Sequence, residues 1–267
     1  MFQRFIVVFL LVIGSCGSAT WAQAPNFQQI TDIDGLPSMT VYDVLQDQQG
    51  FLWFGTEVGI CKYDGYTFKT YDIPSSFGKA CSGLKLDQQG RIFFRNFTGQ
   101  LFYIAQDKVF EVALPKTLKK GASFDYLIDD QNKLWLAFDK LYCYQTTQKK
   151  WVSYPIVPNQ SIDVHTFVKA FDGRFYLATN LGTYRQKSAN NITFELIYAE
   201  HQQRLCATHQ GVYVFHTAPP VILLFDHLSN TPKRIPINTI EPLSKSIVNI
   251  REDIENLVKV SLLYFSF

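Results

Sequence analysis

Few residues in this chain have the types and spacing that chemistry requires. Asp32-x-Asp34-Gly35 has the opening spacing of a calcium loop, but the later ligand positions of that motif are missing, so the stretch reads as a turn. His165, His201, His209, His216 and His227 all lie in the second half, without metal-ligand spacing. Cys61, Cys81, Cys143 and Cys206 are far apart and never form Cys-x-x-Cys. A zinc site needs clustered ligands, so these four read as buried small hydrophobes, with one or two disulfides as the alternative outside the cytoplasm. Trp53 and Trp135 have two readings: stacking on sugar rings, or the preferred one, packing between neighbouring sheets. Asn96-x-Thr98, Asn159-x-Ser161 and Asn191-x-Thr193 match the glycosylation pattern, by chance if the source is bacterial. No acid–base pair can be picked from 23 acidic residues, so no catalytic, cofactor or metal residue is assigned, and the ligand-binding residues are unknown.

The elements that would position such groups are strands. In "DQQGFLWFGTEVGICKYDG" (Asp47 to Gly65), Asp47 to Gly50 is a turn with Asp first and Gly last. Phe51 to Thr56 is an aromatic strand with two apolar faces. Glu57 to Gly59 turns, Ile60 to Tyr63 is a short strand, and Asp64-Gly65 suits a two-residue hairpin. Thr40 to Gln46 and Tyr66 to Tyr71 complete four antiparallel strands. The turn Asp residues, Asp47, Asp87 and Asp129, are expected to cap their own turns.

This unit recurs. Its turn position falls at Gly50, Gly90, Asn132 and Gly173, at steps of 40, 42 and 41 residues. Thr208-x-x-Gly211, matched to Thr56-x-x-Gly59, implies a fifth and shorter unit. Four strands repeated about every 40 residues are the signature of a β-propeller. The predicted fold is all-β, a propeller of four-stranded antiparallel blades at about 40–82, 82–123, 123–164, 164–199 and 199–240, with a partial unit at 246–256. Residues 257–267 follow as an aberrant tail without turn or Trp.

Composition fits this reading. Hydrophobic residues make up 47% and aromatic residues 15% of the 267, which supports a core built of strands. A net charge of +2 with scattered Lys and Arg gives no nucleic-acid footprint. Residues 1–24 read as an export signal, with Arg4, an apolar run from Phe5 to Ile13 and a peptidase site at Ala22-Gln23-Ala24. The apolar run is too short to span a bilayer. Ile13 to Cys16 is the alternative, a lipoprotein box with Cys16 acylated, and either route gives a periplasmic or otherwise exported chain.

Ile30 to Tyr71 resembles the two-component regulator propeller repeat. The resemblance rests on Asp34-Gly35-Leu36-Pro37-Ser38, Val41-Tyr42, Gln46-Asp47, Gly50 to Thr56, Gly59 and Tyr63-Asp64-Gly65. Later units are degenerate: Trp135 keeps the Trp place, and Phe93, Tyr176 and Leu205 replace it. The resemblance implies the sensing region of a sensor histidine kinase or hybrid regulator, usually a seven-bladed ring. Five units and a partial sixth fall short of seven, so a ring cut short is expected; kinase and output domains have no counterpart here, so no enzyme activity and no cofactor are expected. The expected partners are a glycan or other small extracellular ligand and the downstream signalling domains. The alternatives on the same fold are a polysaccharide lyase or hydrolase, which needs acid and base groups converging at the channel mouth, and a protein-interaction scaffold.

Overall fold

A computed structural model describes residues 30–74, 78–118, 121–145, 148–160, 162–200, 203–217, 220–226, 232–235, 247–252 and 258–263. The expected signal segment and Cys16 lie outside these residues, as do His201 and His227. Residues up to Leu36 form a unit of their own, whose described part is a 3-10 turn at Asp32–Asp34. There the Asp34 carboxylate accepts from the Thr31 amide (2.8 Å) and hydroxyl (3.1 Å), and the Asp32 carboxylate from the Ile33 amide (3.1 Å). Both acids serve the local turn.

From Pro37 onward the chain is built of strands. The first sheet holds β1 (Val41–Gln46), β2 (Leu52–Thr56), β3 (Gly59–Tyr63) and β4 (Phe68–Tyr71). The second holds β5 (Cys81–Leu86), β6 (Ile92–Asn96), β7 (Leu101–Ala105) and β8 (Lys108–Glu111). The third holds β9 (Asp125–Ile128), β10 (Leu134–Ala137), β11 (Leu141–Gln145) and β12 (Lys150–Tyr154). The fourth holds β13 (Val164–Lys169), β14 (Phe175–Thr179), β15 (Gly182–Ser188) and β16 (Asn191–Tyr198). The fifth holds β17 (Gln203–Thr208), β18 (Gly211–Thr217), β19 (Pro220–Asp226) and β20 (Lys233–Ile235). In each sheet consecutive strands pair antiparallel, and the first strand of each sheet lies beside the first strand of the next. This is the predicted propeller of four-stranded blades. A hairpin of β21 (Ile247–Glu252) and β22 (Val258–Leu263) follows, with β21 near β17. Its second strand falls in the stretch read from sequence as a patternless tail.

Both faces of the second, third and fourth blades are apolar because each of them has two neighbours. Trp53, Ile60, Tyr71, Cys81, Ile92 and Phe94 join the first sheet to the second. Phe93 points the other way and meets Phe124, Tyr126 and Leu136 of the third. Trp135 and Cys143 then pack on Phe167, Phe175 and Leu177 of the fourth. Tyr176 turns to Val212, Val214 and Phe225 of the fifth. Adjacent residues of one strand thus serve different junctions, as the period of two along a strand requires.

Two turn readings change. The β3–β4 connection is the four residues 64–67, closed by the Tyr63–Phe68 pair, in place of a two-residue hairpin. The Asp64 carboxylate explains the longer loop: it accepts from the amides of Tyr66 (2.8 Å) and Thr67 (2.7 Å) and from the Thr67 hydroxyl (3.0 Å). The fifth unit is also set differently. Thr56 to Gly59 joins the second and third strands of its sheet, whereas Thr208 to Gly211 joins the first and second. The hydroxyl-to-carbonyl bond that closes this turn, 2.7 Å in one case and 3.1 Å in the other, is local and works at either junction. The first strands begin at residues 41, 81, 125, 164 and 203, at steps of 40, 44, 39 and 39, so the fifth unit starts in phase and is not short.

Candidate functional site

The turns between first and second strands share one construction. Asp47 Oδ1 accepts from the amides of Gln49 and Phe51, Asp87 Oδ1 from Gln89 and Arg91, and Asp129 Oδ1 from Gln131 and Lys133, all at 2.8–3.0 Å. The other oxygen reaches into the blade. Asp47 Oδ2 accepts from Trp53 Nε1 at 2.8 Å and Asp129 Oδ2 from Trp135 Nε1 at 2.9 Å, while Asp87 Oδ2 takes Arg91 Nε at 2.6 Å. The turn Asp residues therefore cap their turns, and in two blades they also fix the Trp ring. The two Trp residues are 4% and 6% exposed, which assigns them to packing between blades and away from sugar stacking. Gly50, Asn132 and Gly173 hold φ of 90°, 59° and 80°. Asn tolerates that left-handed backbone better than other residues with a Cβ, which explains its replacement of Gly in the third turn.

These turns sit at one end of the first strands, and a cavity is built beside them. This cavity of about 590 Å³ runs along β9, β13 and β17, with Lys85 and Leu86 at the end of β5. Its polar groups are Asp125, Asp129, Asp130, Thr166, Lys85 and Lys169. The acids are engaged. Asp125 Oδ2 accepts from the Phe167 amide and the Thr166 hydroxyl, both at 3.1 Å, and its Oδ1 from the Tyr126 amide at 2.9 Å. Lys169 Nζ binds Asp130 and stands 3.6 Å from Asp129 Oδ2. The lysine's hydrogen bond and charge hold the Asp130 carboxyl below its ordinary range. At the rim Phe171 is 59% exposed and its ring lies 3.7 Å from that of His209.

Asp125 also joins blades, since its partners are on β13. Asp43 does the same in the first blade, accepting from the Leu84 amide of β5 at 2.8 Å. Sequence reasoning missed both. The available signal was a lone Asp inside an apolar first strand, with its partner 41 or 42 residues on, one repeat away.

The thiols are not activated. Burial pushes Cys61 and Cys81 up to about 12 and Cys143 up to about 11, so they stay protonated. All four described cysteines are reduced, and Cys206, on the cavity wall, is partly exposed. Among the described residues, no group of three His, Cys, Asp or Glu converges to hold a metal. His165 lies on β13 and His209 in the β17–β18 turn, while His216 lies on β18. Of the three glycosylation-type Asn residues, Asn96 is 2% exposed with its amide group fully bonded.

Comparison with known proteins adds to this geometry. Residues 35–58 match the two component regulator propeller model. A stretch of 72 residues, 26% of this chain, is 43% identical to histidine kinase P4 of Formosa agariphila, and the match spans 5% of that protein. The extracellular domain of the hybrid two component system BT3049 from B. thetaiotaomicron superposes with a TM-score of 0.64 at 20% identity, over 90% of this chain and 37% of that one. A streptogramin B lyase superposes with a TM-score of 0.68 at 17% identity, over 85% of this chain and 78% of that one. At such identities a superposition speaks for the fold alone. In the described residues no helix is long and apolar enough to cross a membrane. The chain carries a two-component regulator propeller repeat at residues 35–58, on a bladed fold that it shares with the extracellular domains of hybrid two-component systems.

Proposed function

We propose that this chain is the exported ligand-sensing propeller of a two-component regulator of the sensor histidine kinase type. The repeat at residues 35–58 carries this reading, since that repeat type and the fold meet in the same blade. The ligand is a glycan fragment or another small extracellular molecule, and it sits in the 590 Å³ cavity along the first strands. Such a volume suits a small molecule. Lys85 and Lys169 supply donors, the Thr166 hydroxyl oxygen supplies an acceptor, and the Phe171 ring gives an apolar edge. Binding there touches β9, β13 and β17 together, so a ligand biases how three blades sit against each other and passes that bias to the regulator's other segments.

Three features favour sensing over catalysis: the cavity acids are committed as acceptors, the buried thiols are protonated, and no nucleophile, base and orienting group stand together among the described residues. The test is titration with a panel of oligosaccharides, read by calorimetry, with mass spectrometry of the sugars afterwards and an ATP-labelling control. Saturable binding with unchanged sugars and no labelled protein is expected. Cleaved sugars, or phosphate incorporation above a heat-killed control, would replace this reading with an enzymatic one.

A further inference from the structure

A second pocket, of about 220 Å³, lies between the second and third blades at the end of β6 remote from the Asp turns. Arg95, Asn96, the turn through Phe97 and Gly99, and the segment 121–124 line it. The approach of that segment is tight. A Cβ on Gly99, whose φ is 81°, would meet the Ala122 carbonyl oxygen at 2.8 Å, so only glycine lets the linker rest on the turn. Asn96 beneath it is committed to Gln100 and the Gly78 carbonyl.

Arg95 is not committed in this way. Arg91, Arg174 and Arg185 each pair with a carboxylate at 2.6 Å. Among the described residues Arg95 has no acidic partner, although it is half-buried, and its one hydrogen bond runs from Nη1 to the Phe124 carbonyl. That bond leaves the Nε–Nη2 edge, whose two parallel N–H groups match the two oxygens of a carboxylate. The amides of Gly121, Ala122 and Ser123 make no backbone hydrogen bond among the described residues. A half-buried cation beside unpartnered amides is the chemistry of an anion site. Phe97, 56% exposed and with its ring tilted against that of Tyr42 at 4.6 Å between centroids, stands at the rim.

We propose that this pocket binds a small carboxylate-bearing molecule: Arg95 pairs with the carboxylate, the 121–123 amides add donors, and Phe97 covers the apolar part. The site is independent of the cavity along the first strands, and neither assignment depends on the other.

The test titrates the full chain with sodium benzoate, sodium acetate and sodium sulfate by calorimetry, with sodium chloride holding ionic strength constant. Wild type should bind both carboxylates saturably, benzoate more tightly. Phe97→Ala should weaken benzoate several-fold and leave acetate unchanged. Arg95→Lys keeps the charge but loses the fork, and should weaken both by about tenfold or more. Arg95→Met should abolish both. Because these variants also lose the bond to Phe124, the Arg95 Nε–H resonance of the wild type serves as a second readout, and it should shift and saturate with benzoate. No saturation in wild type, an unmoved resonance, or equal affinity in the Arg95 variants would overturn the site. Sulfate binding as tightly as acetate would overturn the carboxylate assignment.

Discussion

At the scale of single residues, the carboxylate of the repeated turn has the widest reach. Asp47 and Asp129 each hold two turn amides with one oxygen and an indole with the other. Trp53→Phe keeps the ring but leaves a charged acceptor short of a donor, and should cost about 1–3 kcal/mol. Urea denaturation should show a lower midpoint with an unchanged slope, and Trp135→Phe should behave alike. A loss below a few tenths of a kcal/mol would mean that the indole bond contributes nothing. Thiol chemistry makes a second prediction. Cys61, Cys81 and Cys143 are buried and protonated, whereas Cys206 is partly exposed. An alkylating reagent at pH 8 should therefore modify Cys206 in the native chain and reach the other three only on unfolding, as peptide mass mapping will read.

At the scale of elements, the blades were legible because a turn residue, an aromatic strand and a Gly recur together, and each is local. Gly50, Gly90, Asn132 and Gly173 marked four turns, and all four connect first and second strands. The fifth blade was misread because Thr208-x-x-Gly211 repeats a local turn at a different junction. Side-chain bonding identifies the turn, but only the phase of the whole repeat identifies the strands it joins. The same limit hid the links between blades. Asp43 and Asp125 look like solvent-facing residues in a first strand, and their partners appear only when the next blade is in place. Asp125→Ala should remove acceptors for the Phe167 amide and the Thr166 hydroxyl and cost about 2–3 kcal/mol. Hydrogen exchange at Phe167 should quicken more than at Tyr176, and equal protection at both would contradict the link.

At the scale of the whole molecule, stability is spread over the four junctions between blades, and surface charge adds little. Asp107 and Asp130 illustrate the second point. Lys69 and Tyr71 hold the first carboxyl below its ordinary range, and Lys169 the second. A carboxyl depressed in the folded state stabilises above its unfolded pKa of about 4, and that contribution is lost as pH falls through its lower folded value. Both acids are largely exposed, so each pair is worth less than about 1 kcal/mol and is screened by salt. The melting temperature should fall only gently between pH 5 and pH 3, and Asp107→Asn should flatten that slope slightly. A steep loss near pH 5 would point to a different group. The cavity was not legible in the sequence. Its walls come from β5, β9, β13 and β17, so its lining is scattered over four repeats, and no motif spans them.

The most direct test of the sensing account uses Cys206, because that thiol lies on the cavity wall. Its alkylation rate would be measured by mass spectrometry with and without each sugar of the oligosaccharide panel, in wild type and in Thr166→Trp, which fills the cavity. The account predicts that at least one sugar slows Cys206 modification saturably in wild type, that Thr166→Trp abolishes the effect, and that the sugar is recovered intact. An unchanged Cys206 rate with every sugar, or protection that survives in Thr166→Trp, would contradict it.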